Sequence, residues 1–155
     1  MKVSLSTRIA LPPDQVWEKL QTPAPLIHIA APLVRFELLD PANAAHFGGS
    51  DRFLVKLTLV GFLPFGTQWI VPSIHVGDAA PWPKKMRDNG HSGLVKTWDH
   101  WITVEPDDTG GTQYRDEVEV RAGLLTAFIW AFAQIFYRHR QRRWRALANS
   151  ISRGK

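Results

Sequence analysis

Acid–base chemistry in this chain would have to come from its six histidines and fourteen carboxylates, and one pair of them is spaced to meet. From Leu94 to Glu105, Trp98, His100, Ile102 and Val104 alternate with Thr97, Asp99, Trp101 and Thr103. From Thr112 to Arg121, Tyr114, Asp116, Val118 and Val120 alternate with Gln113, Arg115, Glu117 and Glu119. A period of two is that of a strand with one buried face. Pro106-Asp107-Asp108-Thr109-Gly110-Gly111 between the runs has turn chemistry, so a hairpin is expected with His100 and Asp116 on its inward face. An ionised carboxylate on an apolar face is costly unless paired, and an imidazole or phenol is the obvious partner. The pair could serve as general acid and base, or as a polar anchor for a ligand. It could equally be a buried hydrogen bond that fixes strand register. If it lines a pocket, Asp116→Ala should alter ligand binding and leave the fold intact.

Other chemistries find little support. The absence of cysteine excludes disulfides, cysteine-ligated zinc, thiol nucleophiles and iron–sulfur clusters. His28, His46, His75, His91 and His139 have no metal-ligand spacing, so no metal is expected. There is no G-x-S-x-G, phosphate-binding glycine loop or dinucleotide fingerprint, and no cofactor is expected.

The elements that would position the pair can be read along the chain. The 155 residues have room for one core, and 45% apolar with 21% charged residues is ordinary for a folded domain. Residues 2 to 11 alternate as a half-buried strand, and Val16, Trp17 and Leu20 mark a short helix starting near Pro13. Thr22 to Pro25 should close it, with Leu26 to Ala31 adding a second turn or two. Val34, Phe36 and Leu38, and then Phe53, Val55, Leu57 and Leu59, read as strands joined by the Ala-, Asn- and Gly-rich residues 40 to 51. A run from Thr67 to Val76 is broken by Pro72, which points to an edge or a bulge. A short strand is expected around Lys85 to Asp88. Beyond Gly123, apolar residues recur at three and four through Leu125, Phe128, Ile129, Phe132, Ile135 and Phe136, then Trp144, Leu147 and Ile151. That is one helix of about 40 Å. An antiparallel sheet must cover its apolar face, and only this helix is long enough to do so. A curved sheet gripping one helix encloses a hydrophobic cavity.

The segments Trp98-Asp99-His100-Trp101-Ile102-Thr103-Val104-Glu105-Pro106, Gly111-Thr112-Gln113-Tyr114-Arg115-Asp116-Glu117-Val118 and Phe136-Tyr137-Arg138-His139-Arg140 are similar to the W-x-H-x-x-x-F-E-P, G-T-x-x-x-D-x-V and F-x-x-R-H patterns of a known superfamily. By these the chain resembles the START-like, helix-grip (SRPBCC) proteins, which include bacterial polyketide cyclases and dehydratases, coenzyme Q-binding proteins and the birch-pollen allergen class. Val104 stands where those members often have Phe, and Ala122-Gly123-Leu124 lacks their usual Pro. The resemblance implies an α+β helix-grip fold over residues 1–155: a curved antiparallel sheet of about six to seven strands around a long C-terminal helix, with two short helices after the first strand. It implies binding of a lipid, an isoprenoid or a polyketide-like ring. The alternative is a cyclase or dehydratase in which His100 and Asp116 move protons. Expected lining residues are Trp69, Trp98, His100, Tyr114 and Asp116 on the sheet, with Phe128, Phe132 and Phe136 on the helix.

Charge is unevenly distributed. Seven of the nineteen basic residues lie between Arg138 and Lys155 with no acid among them, leaving twelve basic and fourteen acidic groups before that segment. The first 137 residues thus carry −2, and no groove-reading motif accompanies the basic end, so no specific nucleic-acid partner is expected. Arg138, Arg140, Arg142, Arg143 and Arg145 could meet an anionic membrane surface, or form a solvated helix end. The apolar stretch Leu124 to Tyr137 spans about 21 Å, too short for a bilayer core of about 30 Å, but could meet a lipid surface or a second subunit in a homodimer. Gly61-Phe62-Leu63-Pro64-Phe65-Gly66 reads as a turn with three large apolar side chains, either an entrance or a loop tucked on the neighbouring hairpin. The first eight residues lack the apolar run of a signal peptide, so a cytoplasmic location is the expectation.

Overall fold

A computed structural model describes residues 1–39, 52–76 and 81–153. The linker read over residues 40–51, with His46, lies outside the described residues, as do 77–80. Strand β1 (Lys2–Ile9) buries Val3, Thr7 and Ile9, as its alternation requires. Helix α1 (Pro13–Leu20) begins on proline and buries Val16, Trp17 and Leu20. Helix α2 (Pro23–Ala30) starts earlier than expected. Proline's fixed φ and missing N–H are tolerated in a first helical turn, so Pro23 and Pro25 open this helix instead of preceding it.

The strands that follow are β2 (Val34–Leu38), β3 (Phe53–Leu59), β4 (Leu63–Ile70), β5 (Pro72–Val76), β6 (Lys84–Gly90), β7 (Thr97–Pro106) and β8 (Thr112–Arg121). Among the described residues there are eight strands where six to seven were expected. The extra one arises because the run from Thr67 to Val76 divides at Val71, and its halves join different sheets. Pro72 then opens an edge strand, where its missing N–H is harmless. The supposed turn at Gly61–Gly66 is shorter than it looked, since Leu63, Pro64 and Phe65 already belong to β4.

The antiparallel strands form a five-stranded layer in the order β1-β8-β7-β6-β5 and a three-stranded layer, β2-β3-β4. The layers meet where Trp69 and His91 exchange backbone hydrogen bonds of 3.0 and 3.3 Å. Gly90 makes this approach feasible: a Cβ there would lie 3.0 Å from both the Gln68 amide nitrogen and the Trp69 carbonyl. In β4, Leu57 pairs with Gly66 but Thr58 pairs with Pro64, so Phe65 is an extra residue. Such a bulge reverses the strand's facing parity. Leu63 and Phe65 point inward before it, Gln68 and Ile70 after it.

A short 3₁₀ turn (Gly123–Leu125) leads into α3 (Thr126–Arg153), about 42 Å long. Gly123 sits at φ +56, and the Thr126 hydroxyl accepts from the Ala122 N–H, so the entry is set without a proline. Toward its C-terminus α3 packs Trp144 and Ala148 against Ile9, Leu20, Val104 and Tyr114 in a filled core. Its N-terminal half, with Ile129, Ala133 and Phe136, shares a cluster with Val3 of β1, Val118 and Val120 of β8, and Val34, Val55 and Leu57 of β2 and β3. No helix of the described residues is long and apolar enough to cross a membrane.

Candidate functional site

Between α3 and the two layers lies a half-open cavity of about 350 Å³. Its walls come from α2, β2, β3, β4, Met86 and Asp88 of β6, Trp98, His100 and Ile102 of β7, and the inward face of α3 between Phe128 and Arg140. Aliphatic and aromatic side chains dominate, and the polar exceptions are Gln68, Asp88, His100, Tyr137 and Arg140. Val60, Leu63 and Phe128 combine a place in the wall with exposures of 47%, 51% and 73%, which puts the mouth at the β3–β4 turn and the start of α3.

The polar groups form a network reaching back into the sheet. Asp88 and His100 are cross-strand neighbours in β6 and β7, and His100 lies diagonal to Asp116 across β7 and β8. The His100 ring meets Asp116 Oδ1 through Nε2 at 2.8 Å, and the Tyr114 hydroxyl donates to the same oxygen at 3.1 Å. Gln141 of α3 donates to Asp116 Oδ2 at 3.0 Å and to the Leu5 carbonyl at 3.0 Å, which ties helix to sheet. Burial alone would push the Asp116 carboxyl up. The His100 hydrogen bond, the Arg140 charge and the Gln141 amide outweigh it and hold the group below the usual carboxylate range. Burial pushes the His100 imidazole down against the pull of Asp116, so near neutral pH the ring is uncharged.

Asp88 behaves oppositely. Its Oδ1 accepts from the Val71 N–H at 2.8 Å, but its enclosure pushes the carboxyl up to about 7, against the Val71 bond and the Arg140 charge. Arg140 is 7% exposed, with its guanidinium 5.1 Å from the Tyr137 ring and 5.8 Å from that of Phe136. Its Nε is buried without a hydrogen-bond partner among the described residues.

Of the residues expected to line the cavity, Trp98, His100, Phe128, Phe132 and Phe136 do so. Tyr114, Asp116 and Trp69 do not. Tyr114 is wholly buried beside Trp144, and Asp116, fully buried, sits behind His100 and is bonded by His100, Tyr114 and Gln141. Trp69 is turned out of the cavity by the β4 bulge and carries the Arg52 guanidinium 4.5 Å over its ring. Gln68, Asp88, Tyr137 and Arg140 were missed. For Arg140 the signal was present: it lies four residues after Phe136 and four before Trp144, on the buried stripe of α3. The basic helix end is therefore not one solvated face. Arg140 turns inward, Arg143 bonds the His28 carbonyl at 3.2 Å, and Arg145 bonds the Thr7 hydroxyl at 2.9 Å.

Antiparallel strands closed by one long C-terminal helix over an apolar cavity make the helix-grip, START-like fold. Solved structures share this fold across nearly the whole chain. The START superfamily protein from Mycobacterium smegmatis aligns over 97% of this chain and 98% of its own, with 10% identity and a TM-score of 0.61. Ara h 8.0201 covers 97% and 98%, with 14% identity and a TM-score of 0.60. Protein TTHA0849 from Thermus thermophilus covers 98% and 99%, with 14% identity and a TM-score of 0.67. The chain belongs to the family described as Domain of unknown function (DUF8410), which matches residues 7–148. Comparison with curated proteins finds no match.

Proposed function

We propose that residues 1–155 form a single ligand-binding domain that sequesters or carries a small hydrophobic molecule in the cavity. The observation that carries this reading is the apolar space of about 350 Å³ between α3 and the sheet, within the usual size of small-molecule sites. A molecule with an isoprenoid chain, an acyl chain or fused rings suits walls of Leu, Ile and Phe. Val60, Leu63 and Phe128 at the mouth, with Phe62 next to them at 79% exposure, would ease its transfer from an apolar surface such as a membrane. Native mass spectrometry of protein purified without detergent should show a bound small molecule, or uptake of the neutral fluorophore N-phenyl-1-naphthylamine. Failure of both, with the protein folded, would overturn the reading.

One observation favours a second reading, acid–base turnover of the bound molecule as in a cyclase or dehydratase. His100 both lines the cavity and is oriented by a carboxylate behind it, Asp116, the arrangement of a general base with its positioning group. On that reading His100→Gln would abolish turnover of a polyketide-like substrate and still take up the fluorophore.

A further inference from the structure

The inward arginine of α3, Arg140, has a buried charge with no ion-pair partner among the described residues. Asp116, a permanent anion that acts on Arg140 through space, is already engaged by His100, Tyr114 and Gln141. Around the guanidinium are two aromatic rings and the Tyr137 hydroxyl. A buried charge is costly unless paired, and arginine cannot shed its proton to escape that cost. Asp88, also in the cavity wall and acted on by the Arg140 charge, can, because a carboxyl is neutralised by taking up a proton. The permanent, underpaired charge on the wall is therefore positive.

We propose that the cavity takes an amphipathic carboxylate, with its carboxylate head against the Arg140 guanidinium and its apolar body along Phe132, Phe128 and the β2–β4 layer toward the mouth. The proposal rests on the ligand-binding reading above and specifies the ligand's polar end. A planar carboxylate matches the guanidinium fork, and the Tyr137 hydroxyl is placed to donate beside it. Asp88 faces the same head. Ionised, it repels the ligand; protonated, it can donate a hydrogen bond to it. The other titratable groups are His100 of β7 and Tyr137 of α3 in the wall, Tyr114 and Asp116 of β8 behind it, and Asp99 of β7, which acts on Asp88 through space and is held ionised by Arg87. Burial holds His100 neutral and raises both tyrosines, and Asp116 stays ionised, so none of these changes charge between about pH 7 and 8. Carboxylate binding should then weaken as the pH rises through Asp88's titration.

The test compares dodecanoate, dodecanol and dodecylamine as competitors of N-phenyl-1-naphthylamine. Dodecanoate should displace the fluorophore at least about ten-fold more effectively than dodecanol. Arg140→Gln should erase that preference and retain the fluorophore. Asp88→Asn should tighten dodecanoate at about pH 8 and leave dodecanol unchanged. If Arg140→Gln fails to fold, the wild-type ratio and the Asp88 variant decide. Equal displacement by acid and alcohol overturns the carboxylate assignment and leaves the cavity reading standing. Preference for dodecylamine overturns it in favour of Asp88 as the head-group partner. No uptake of the fluorophore by folded wild-type protein removes both proposals.

Discussion

Two aspartates of one sheet, on β6 and β8 with β7 between them, have carboxyls pushed in opposite directions, and the difference lies in what donates to them. Asp116 receives hydrogen bonds from His100, Tyr114 and Gln141, whereas Asp88 has the Val71 amide and an apolar enclosure. Asp116→Ala would leave three buried donors unpaired and remove an anion near Arg140, so it should cost about 3–5 kcal/mol by urea denaturation. The expectation that this variant stays folded with only its ligand binding altered assumed that Asp116 lines the cavity, which it does not. For Asp88, the carboxyl sits near 7 in the folded protein against 3.8 as the ordinary value. Between those values the folded state holds the extra proton, so stability is fullest below the lower one and declines as pH rises through the upper. Asp88→Asn keeps the acceptor for Val71 and removes the charge. The excess of its melting temperature over wild type should widen from about pH 5 to about pH 8. An unchanged gap across that range would contradict the assigned titration.

Among the elements, the β3–β4 hairpin is the one whose local chemistry conflicts with its geometry. Val60 and Gly61 occupy its two central positions at φ +47 and +84, and the Phe62 N–H closes the turn onto the Leu59 carbonyl at 3.2 Å. Two positive φ values favour Asn-Gly, and a β-branched residue at the first of them is strained. Val60 also stands in the cavity wall at its mouth, so its side chain has a place there despite the strain. Val60→Asn should raise unfolding stability by about 1 kcal/mol and weaken retention of an apolar ligand. A stability loss would show that wall contacts outweigh the backbone strain.

Across the whole molecule, α3 divides the interior into a filled half and a hollow half. Trp144 is fully buried in the filled core, and Phe132 is half-buried beside the cavity. Truncation costs most where surrounding atoms cannot collapse and every contact is lost at once. Trp144→Ala should therefore cost about 3–5 kcal/mol, and Phe132→Ala at most about 1.5, each read from urea denaturation without ligand. Similar costs at the two sites would mean that the ligand-free cavity is closed in solution.

The amino-acid pattern by itself determined the order of elements and the sidedness of the clearest ones. Facing is a local property with a fixed period, so Val3 to Ile9, Trp98 to Val104 and Tyr114 to Val120 could be assigned to one face without knowing their neighbours. The same holds for Phe136 and Trp144 on the helix. Depth behind that face was decided only by the tertiary structure. Tyr114 and Asp116 share a face with Trp98 and His100, yet the C-terminal half of α3 packs closely over the first pair, whereas the second pair lines the cavity beside Tyr137. Trp69 was misplaced because a single extra residue, Phe65, reverses the facing of everything after it in β4. Arg140 shared the helix's buried period, but its neighbours Arg138, Arg142 and Arg143 gave the segment the look of a solvated basic end. Whether a charge on a buried stripe meets a partner or a cavity depends on residues far away in the chain, here Asp88, His100 and Asp116, which no local period records.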